Sequence, residues 1–174
     1  MKISIGRKIL RLLVGSDFHL GSGNTHEDGV AAFMAKALKM PWIFLGDLIE
    51  AIVPGDKRYS YDEHQKSLLT QIADGANLIR PARKTCIGLL AGNHEETPSQ
   101  KLGSVAASIA EDLKVPFLTS DCFVRFGDTL GFFIHQARIT RGRVGPSLRI
   151  EANQKVSLHE AFRRVSADFC GMGH

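Results

Sequence analysis

Five polar clusters punctuate the chain, each directly after an apolar run: Asp17-Phe18-His19, Gly46-Asp47, Gly92-Asn93-His94-Glu95, His135 and Gly173-His174. Carboxylate, amide oxygen and imidazole make up this set and thiolate is missing from it. Such donors suit Mn, Fe, Zn or Co better than a structural thiolate-bound zinc. Asp17 and His19, two residues apart beyond a strand, can turn inward together and chelate one ion. Taken singly, Asp and Asn at strand ends cap and turn the chain. Taken in series with the histidines, they have the composition of a metal site.

Residues so far apart in sequence meet only if the chain returns each cluster to one edge of a sheet. The apolar pattern supplies that return. Residues 9–15, 42–45 and 84–90 are short buried strands by their unbroken apolar character. Between them, residues 27–40 place Val30, Phe33, Met34 and Leu38 near helical spacing before Pro41, and residues 59–79 carry Leu68, Leu69, Ile72 and Ala76 on one face before Pro81. A third helix is expected over 104–113. Residues 117–118, 121–126 and 129–135 then read as short strands, with Gly127-Asp128 as a tight turn between the last two. A loop over 136–152, a helix over 155–165 and a strand over 168–172 complete the expectation. Early β-α-β-α-β order followed by hairpins predicts an α/β protein with two packed sheets and helices outside. Ligands in such folds bind at the carboxyl ends of the parallel strands, where this chain keeps its acids, amides and imidazoles.

The series Asp17-x-His19, Gly46-Asp47, Gly92-Asn93-His94-Glu95, His135 and Gly173-His174 resembles the motif series of the calcineurin-like metallophosphoesterases, running from Ser16 to the last residue. The resemblance implies a four-layer αββα sandwich of mixed sheets with a dinuclear centre at the strand ends. It implies that Asp17 and His19 hold the first metal ion, that Asp47 bridges both, and that Asn93, His135 and His174 hold the second. His94 resembles the group that contacts the scissile phosphate or protonates the leaving group, and Glu95 is its implied orienting partner. The implied activity is hydrolysis of a phosphomonoester or phosphodiester by a metal-bridging hydroxide. Two divalent ions about 3.5–4 Å apart clamp phosphate oxygens and lower the pKa of a bridging water. Mn is the first expectation, with Fe, Zn, Co or Ni as alternatives. The family series ends Gly-His-x-His, whereas this sequence stops at His174. The single expected domain, 1–174, would then be C-terminally truncated inside its last metal-ligand motif, leaving the first site one ligand short. A catalytically impaired binding or scaffold version of the fold is the competing expectation.

The substrate signal lies after His135. No acidic residue occurs between Asp128 and Glu151, while Arg138, Arg141, Arg143 and Arg149 do. Arginines there can hold a phosphodiester backbone or a nucleotide's phosphates, which makes a Mn-dependent nuclease the alternative within the enzyme class. A solvated basic loop is the bland alternative. Aromatics that would stack on a single strand are not interleaved with this run.

The rest of the composition sets bounds. With 174 residues, 44% hydrophobic and 23% charged, the chain suits one compact domain and neither disorder nor coiled coil. No apolar run approaches the ~18–20 residues of a membrane span, and the first twelve residues do not read as a signal peptide, so a cytoplasmic protein without membrane partners is expected. Cys86, Cys122 and Cys170 read as reduced core thiols. The net charge of +4 points only weakly to nucleic acid. His26, His64 and His159 are expected at the surface or in caps, Glu50 in a helix start or solvated loop, and Tyr59 and Tyr61 on a helix. Gly21-Ser22-Gly23-Asn24 reads as a flexible turn, because it lacks the Lys-Ser/Thr of a phosphate loop. Oligomeric state is left open.

Overall fold

The structure is a computed structural model that describes residues 11–64, 66–135, 163 and 165–173. It is a mixed α/β protein with two three-stranded sheets. In the first, β1 (Leu13–Gly15), β2 (Trp42–Phe44) and β3 (Cys86–Leu89) lie parallel in the order β1-β2-β3, with Leu13 opposite Trp42 and Phe44 opposite Leu89. In the second, β4 (Asp121–Phe126) and β5 (Thr129–Ile134) form an antiparallel hairpin, and β6 (Phe169–Met172) pairs parallel to β5. The hairpin turns at Gly127-Asp128 as the sequence predicts, with Gly127 at φ 62°.

Strand alternation divides the core in two. Trp42 and Phe44 face one side of the first sheet and pack with Val30, Met34 and Ala37 of α1 (Glu27–Ala37), Ala76 and Ile79 of α2 (Leu68–Ile79), and Ile109 and Leu113 of α4 (Val105–Leu113). Ile43 and Leu45 face the other side and meet Ile87, Leu90, Leu118, Val124 and Phe133, so the two sheets close on each other. Burial on both faces explains why β2 and β3 read as unbroken apolar runs. Among the described residues, the helices cover one face of the first sheet and the second sheet covers the other. The helix expected over 155–165 lies, but for Arg163 and Val165, outside the described residues. Among those residues no helix is long and apolar enough to cross a membrane.

Two expectations change. The helix expected from residue 59 begins at Leu68, because Ser67 accepts the amide of Thr70 as its cap while residues 60–64 fold as a turn closed by His64 N to Ser60 O at 2.9 Å. A helix with no apolar periodicity, α3 (Asn93–Leu102), follows β3 where the sequence predicts no further helix until residue 104. Its first residues are those of the Gly92-Asn93-His94-Glu95 cluster.

Candidate metal centre

The first three clusters meet because the loops beyond β1 and β2 continue to pair after the strands end. Asp17 N donates to Gly46 O, His19 N to Asp47 O and Leu20 N to Leu48 O, each at 3.0 Å, and Leu20 bridges Ile49 in parallel. Asp17, His19 and Asp47 all adopt left-handed backbone conformations, at φ 58°, 48° and 55°. Such angles are uncommon outside glycine and gather at functional sites when the surrounding fold holds them. Between the first two, Phe18 is buried edge-on against Phe33 and Phe44 and anchors the turn.

The second and third clusters touch through backbone. A Cβ on Gly46, itself at φ 102°, would lie 2.6 Å from Gly92 N, and one on Gly92 would collide with Asp47 N and Oδ1. Only glycine allows that approach at either position. Glu95 then locks the junction. Its carboxylate accepts the amides of Gly92 at 2.8 Å, Asp47 at 3.0 Å and Ile49 at 3.2 Å, and the side chain is 1% exposed. Burial, and next the charge of Asp47, push its pKa up to about 7 against those three amides. The structure thus places Glu95 beneath the loops, bound to backbone.

Asp47 is fully buried at the centre. Its Oδ1 accepts the amide of His94 at 2.9 Å, at the start of α3 where the helix dipole favours an anion. Its Oδ2 lies 3.2 Å from His135 Nε2 and 3.9 Å from His19 Nε2, yet no donor reaches it in hydrogen-bond geometry among the described residues. Burial raises the Asp47 pKa, and the His135 contact with the His94 amide outweighs it, so the carboxyl titrates below its ordinary value.

His135 reaches the same point from β5. Its Nδ1 is 2.6 Å from Leu45 O, a carbonyl that can only accept, so Nδ1 carries the proton. Nε2 then faces Asn93 Oδ1 at 3.0 Å and Asp47 Oδ2 at 3.2 Å. Three acceptors converge there, an arrangement that requires a proton or a cation between them. Ligand atoms of Asp17, Asp47 and His135 all lie within 4.8 Å of one another. The donor set and the orphaned Asp47 oxygen fit a divalent cation.

A second group within the same 4.8 Å limit, His19, Glu50 and His94, is a weaker candidate for ligation. His94 Nδ1 is 2.8 Å from Glu50 O and is therefore protonated, and its Nε2 accepts from Arg58 Nη1 at 3.2 Å. Both nitrogens are occupied. His19 has one nitrogen on each group: Nε2 is 3.8 Å from Asp17 Oδ1, and Nδ1 is 3.0 Å from Glu50 Oε2 without hydrogen-bond geometry. Burial lowers the His19 pKa, but Asp17, Glu50 and Asp47 together push it up to about 10.

Asp17, His19, Asp47, Asn93, His94 and His135 are brought to one cleft, with Glu95 under it. His174, Arg138, Arg141 and Arg143 lie outside the described residues. Gly173 does pass the site, since a Cβ there would meet Ser16 Oγ and lie 3.1 Å from His135 Nδ1. Three residues were not expected here. Glu50 is 7% exposed and faces His19 rather than solvent; His64 is 6% exposed with Nε2 3.7 Å from Glu50 Oε1; Arg58 caps His94. The available signal was Glu50 itself, a carboxylate three residues past Gly46-Asp47.

These features define a mixed α/β protein with an acid- and imidazole-lined cleft at the ends of its parallel strands. No protein-family profile and no curated protein matches the chain. Among solved structures it aligns with Yfce, a phosphoesterase from E. coli, at 17% identity and a TM-score of 0.42, over 72% of this chain and 57% of that one.

Proposed function

We propose that the protein is a metal-dependent phosphoesterase whose centre is built on Asp47. The observation that carries this reading is the buried Asp47 Oδ2, without a donor in hydrogen-bond geometry and facing His135 Nε2 and His19 Nε2. Asp17, His19 and Asp47 would hold one divalent cation, and Asp47, Asn93 and His135, joined by His174, a second, with manganese the first to try. Bound cations would neutralise charge on the phosphoryl oxygens and make water a nucleophile at neutral pH.

The chain's own residues do the positioning. Leu45 O fixes the His135 tautomer so that Nε2 faces inward, as ligating imidazoles require. Glu95 fixes the backbone on which Asp47 and Asn93 sit. His94 stands at the cleft with Nδ1 bound to Glu50 O and Nε2 accepting from Arg58 Nη1; Nε2 would exchange a proton with the leaving group once substrate draws Arg58 off it. Phosphomonoesters and phosphodiesters are the substrate class. Cleavage of nucleic acid would draw on Arg138, Arg141 and Arg143.

Elemental analysis paired with Mn-dependent hydrolysis of bis-p-nitrophenyl phosphate and p-nitrophenyl phosphate tests this reading. Bound metal with turnover is expected, and Asp47→Ala should lose both. Near-normal turnover by Asp47→Ala would remove the assigned centre.

A further inference from the structure

The chain between Glu50 and α2 brings a guanidinium to the mouth of the cleft. Arg58 Nε donates to Asp56 Oδ1 at 3.1 Å and Nη2 to Asp56 Oδ2 at 2.7 Å, a side-on pair, while the Arg58 amide donates to the same Oδ1 at 2.9 Å. Nη1 donates to His94 Nε2 at 3.2 Å. A guanidinium has five N–H groups in a planar fork. Three are engaged with described residues, which leaves one on Nη1 and one on Nη2. Both belong to the terminal nitrogens of the fork, the kind of donor that binds phosphoryl oxygens. The side chain is 34% exposed, so an anion can reach it.

Asp56 and Arg58 would need no more than each other to steady an exposed turn, and such surface pairs contribute little. The contact with His94 goes beyond that need. It brings a permanent cation to the nitrogen that faces the leaving group, in a cleft whose other described charges near His94 include the acids Asp17, Asp47 and Glu50. Positive charge at that rim favours an anionic substrate before any metal is considered.

We infer that Arg58, held side-on by Asp56, binds the phosphoryl group of the substrate beside His94 and selects phosphomonoesters over phosphodiesters. The inference rests on the phosphoesterase reading. A monoester carries three unesterified oxygens and a diester two. If cations gathered on Asp47 take two, only the monoester keeps a third for Arg58. The monoester dianion also gains more from the guanidinium than the diester monoanion does. Asp56 is a positioning residue: it touches no substrate and acts by keeping the fork aimed.

The test uses the Mn-loaded full chain, with inorganic phosphate as the binding probe in calorimetry and p-nitrophenyl phosphate and bis-p-nitrophenyl phosphate as substrates. Arg58→Ala should weaken phosphate binding about ten- to a hundredfold, the loss of a charge-assisted contact, with metal content unchanged. The monoester-to-diester ratio of kcat/KM should fall with it. Asp56→Asn should act in the same direction by a smaller factor, and Arg58→Lys should restore binding only partly, because an ammonium lacks the fork. Arg58→Gln serves if the alanine variant misfolds. Unchanged phosphate affinity, or equal loss for both esters, would overturn the inference. Should the wild type hydrolyse neither ester, the phosphoesterase reading fails, and the phosphate titration still decides whether Arg58 binds the anion.

Discussion

The floor and the rim of the cleft are held by different means. On the floor, Asp47, Asn93, Glu95 and His135 are fixed largely by backbone: Glu95 by three amides, His135 by Leu45 O, Asp47 by the His94 amide. Gly46 and Gly92 let two loops touch without side chains between them. On the rim, Asp56, Arg58 and His94 hold one another through side chains, and Tyr61 nearby in sequence is 77% exposed. Backbone anchors move only when the fold moves, whereas side-chain pairs can exchange partners. A centre that must keep several ligands in register belongs on the first kind of support. Groups that must let an anion in and out belong on the second.

The largest effect should come from the floor. Glu95→Ala would strand the amides of Gly92, Asp47 and Ile49 in a buried place, at a cost of about 3–5 kcal/mol by the usual penalty for unpaired buried groups. Urea unfolding should show that loss, together with reduced metal content, since the loops carrying Asp47 and Asn93 would separate. A loss below about 1 kcal/mol would mean that the floor does not depend on this carboxylate.

That the floor's polar residues would meet was largely legible in sequence, because they follow apolar runs and strand ends converge. Asp17, His19, Asp47, Asn93 and His135 needed only that rule. Of the rim, His94 was legible as part of its motif and the residues around it were not. Glu50 looks like the start of a helix, and what turns it inward is the parallel pairing of Leu20 with Ile49 and a left-handed Ala51 at φ 52°, neither of which leaves a mark in residue type. Arg58 and His64 belong to turns, and their partners Asp56, His94, Ser60 and Glu50 follow no apolar period that would mark them. The helix α3 was hidden for another reason: Pro98 lies inside it, and its mostly polar sequence has no apolar period. In the fold, β1 to β6 fall inside or next to their expected spans because burial on one or both faces wrote itself into the apolar runs.

An intermediate effect should appear with pH, again on the floor. Glu95 titrates near 7 instead of its ordinary carboxyl range, and His19 near 10 instead of 6.5. Both groups bind protons more tightly in the folded protein than in the unfolded chain. Their protonated forms therefore favour the fold at low pH, and that contribution is lost as pH rises, through about 4.5–7 for Glu95 and about 6.5–10 for His19. Metal-free protein should lose stability across that span. On the proposed reading, a metal held by His19 would have to displace its proton, so metal affinity should rise with pH over the upper part of the same span. Thermal unfolding with and without Mn, at pH 6.5 and 8.5, should give slopes of opposite sign. Parallel slopes would separate His19 from the metal.

The smallest effect is expected where neither kind of support operates. Gly23 sits in the turn after His19, and a Cβ there meets nothing within 4 Å, in contrast to Gly92, where it would run into Asp47. Its neighbour Gly21 does need glycine, with φ 97° and the Gln71 side chain 2.9 Å from a Cβ. Gly23→Ala should therefore leave stability within about 0.5 kcal/mol, as exposed substitutions usually do, and leave metal content and both esterase rates at wild-type level. Gly23 lies four residues from the proposed ligand His19, so a loss of metal in this variant would show that the Leu20–Thr25 segment positions the centre directly. Equality with wild type would confine the positioning to the paired loops, where Gly21 already marks the last tight contact with α2.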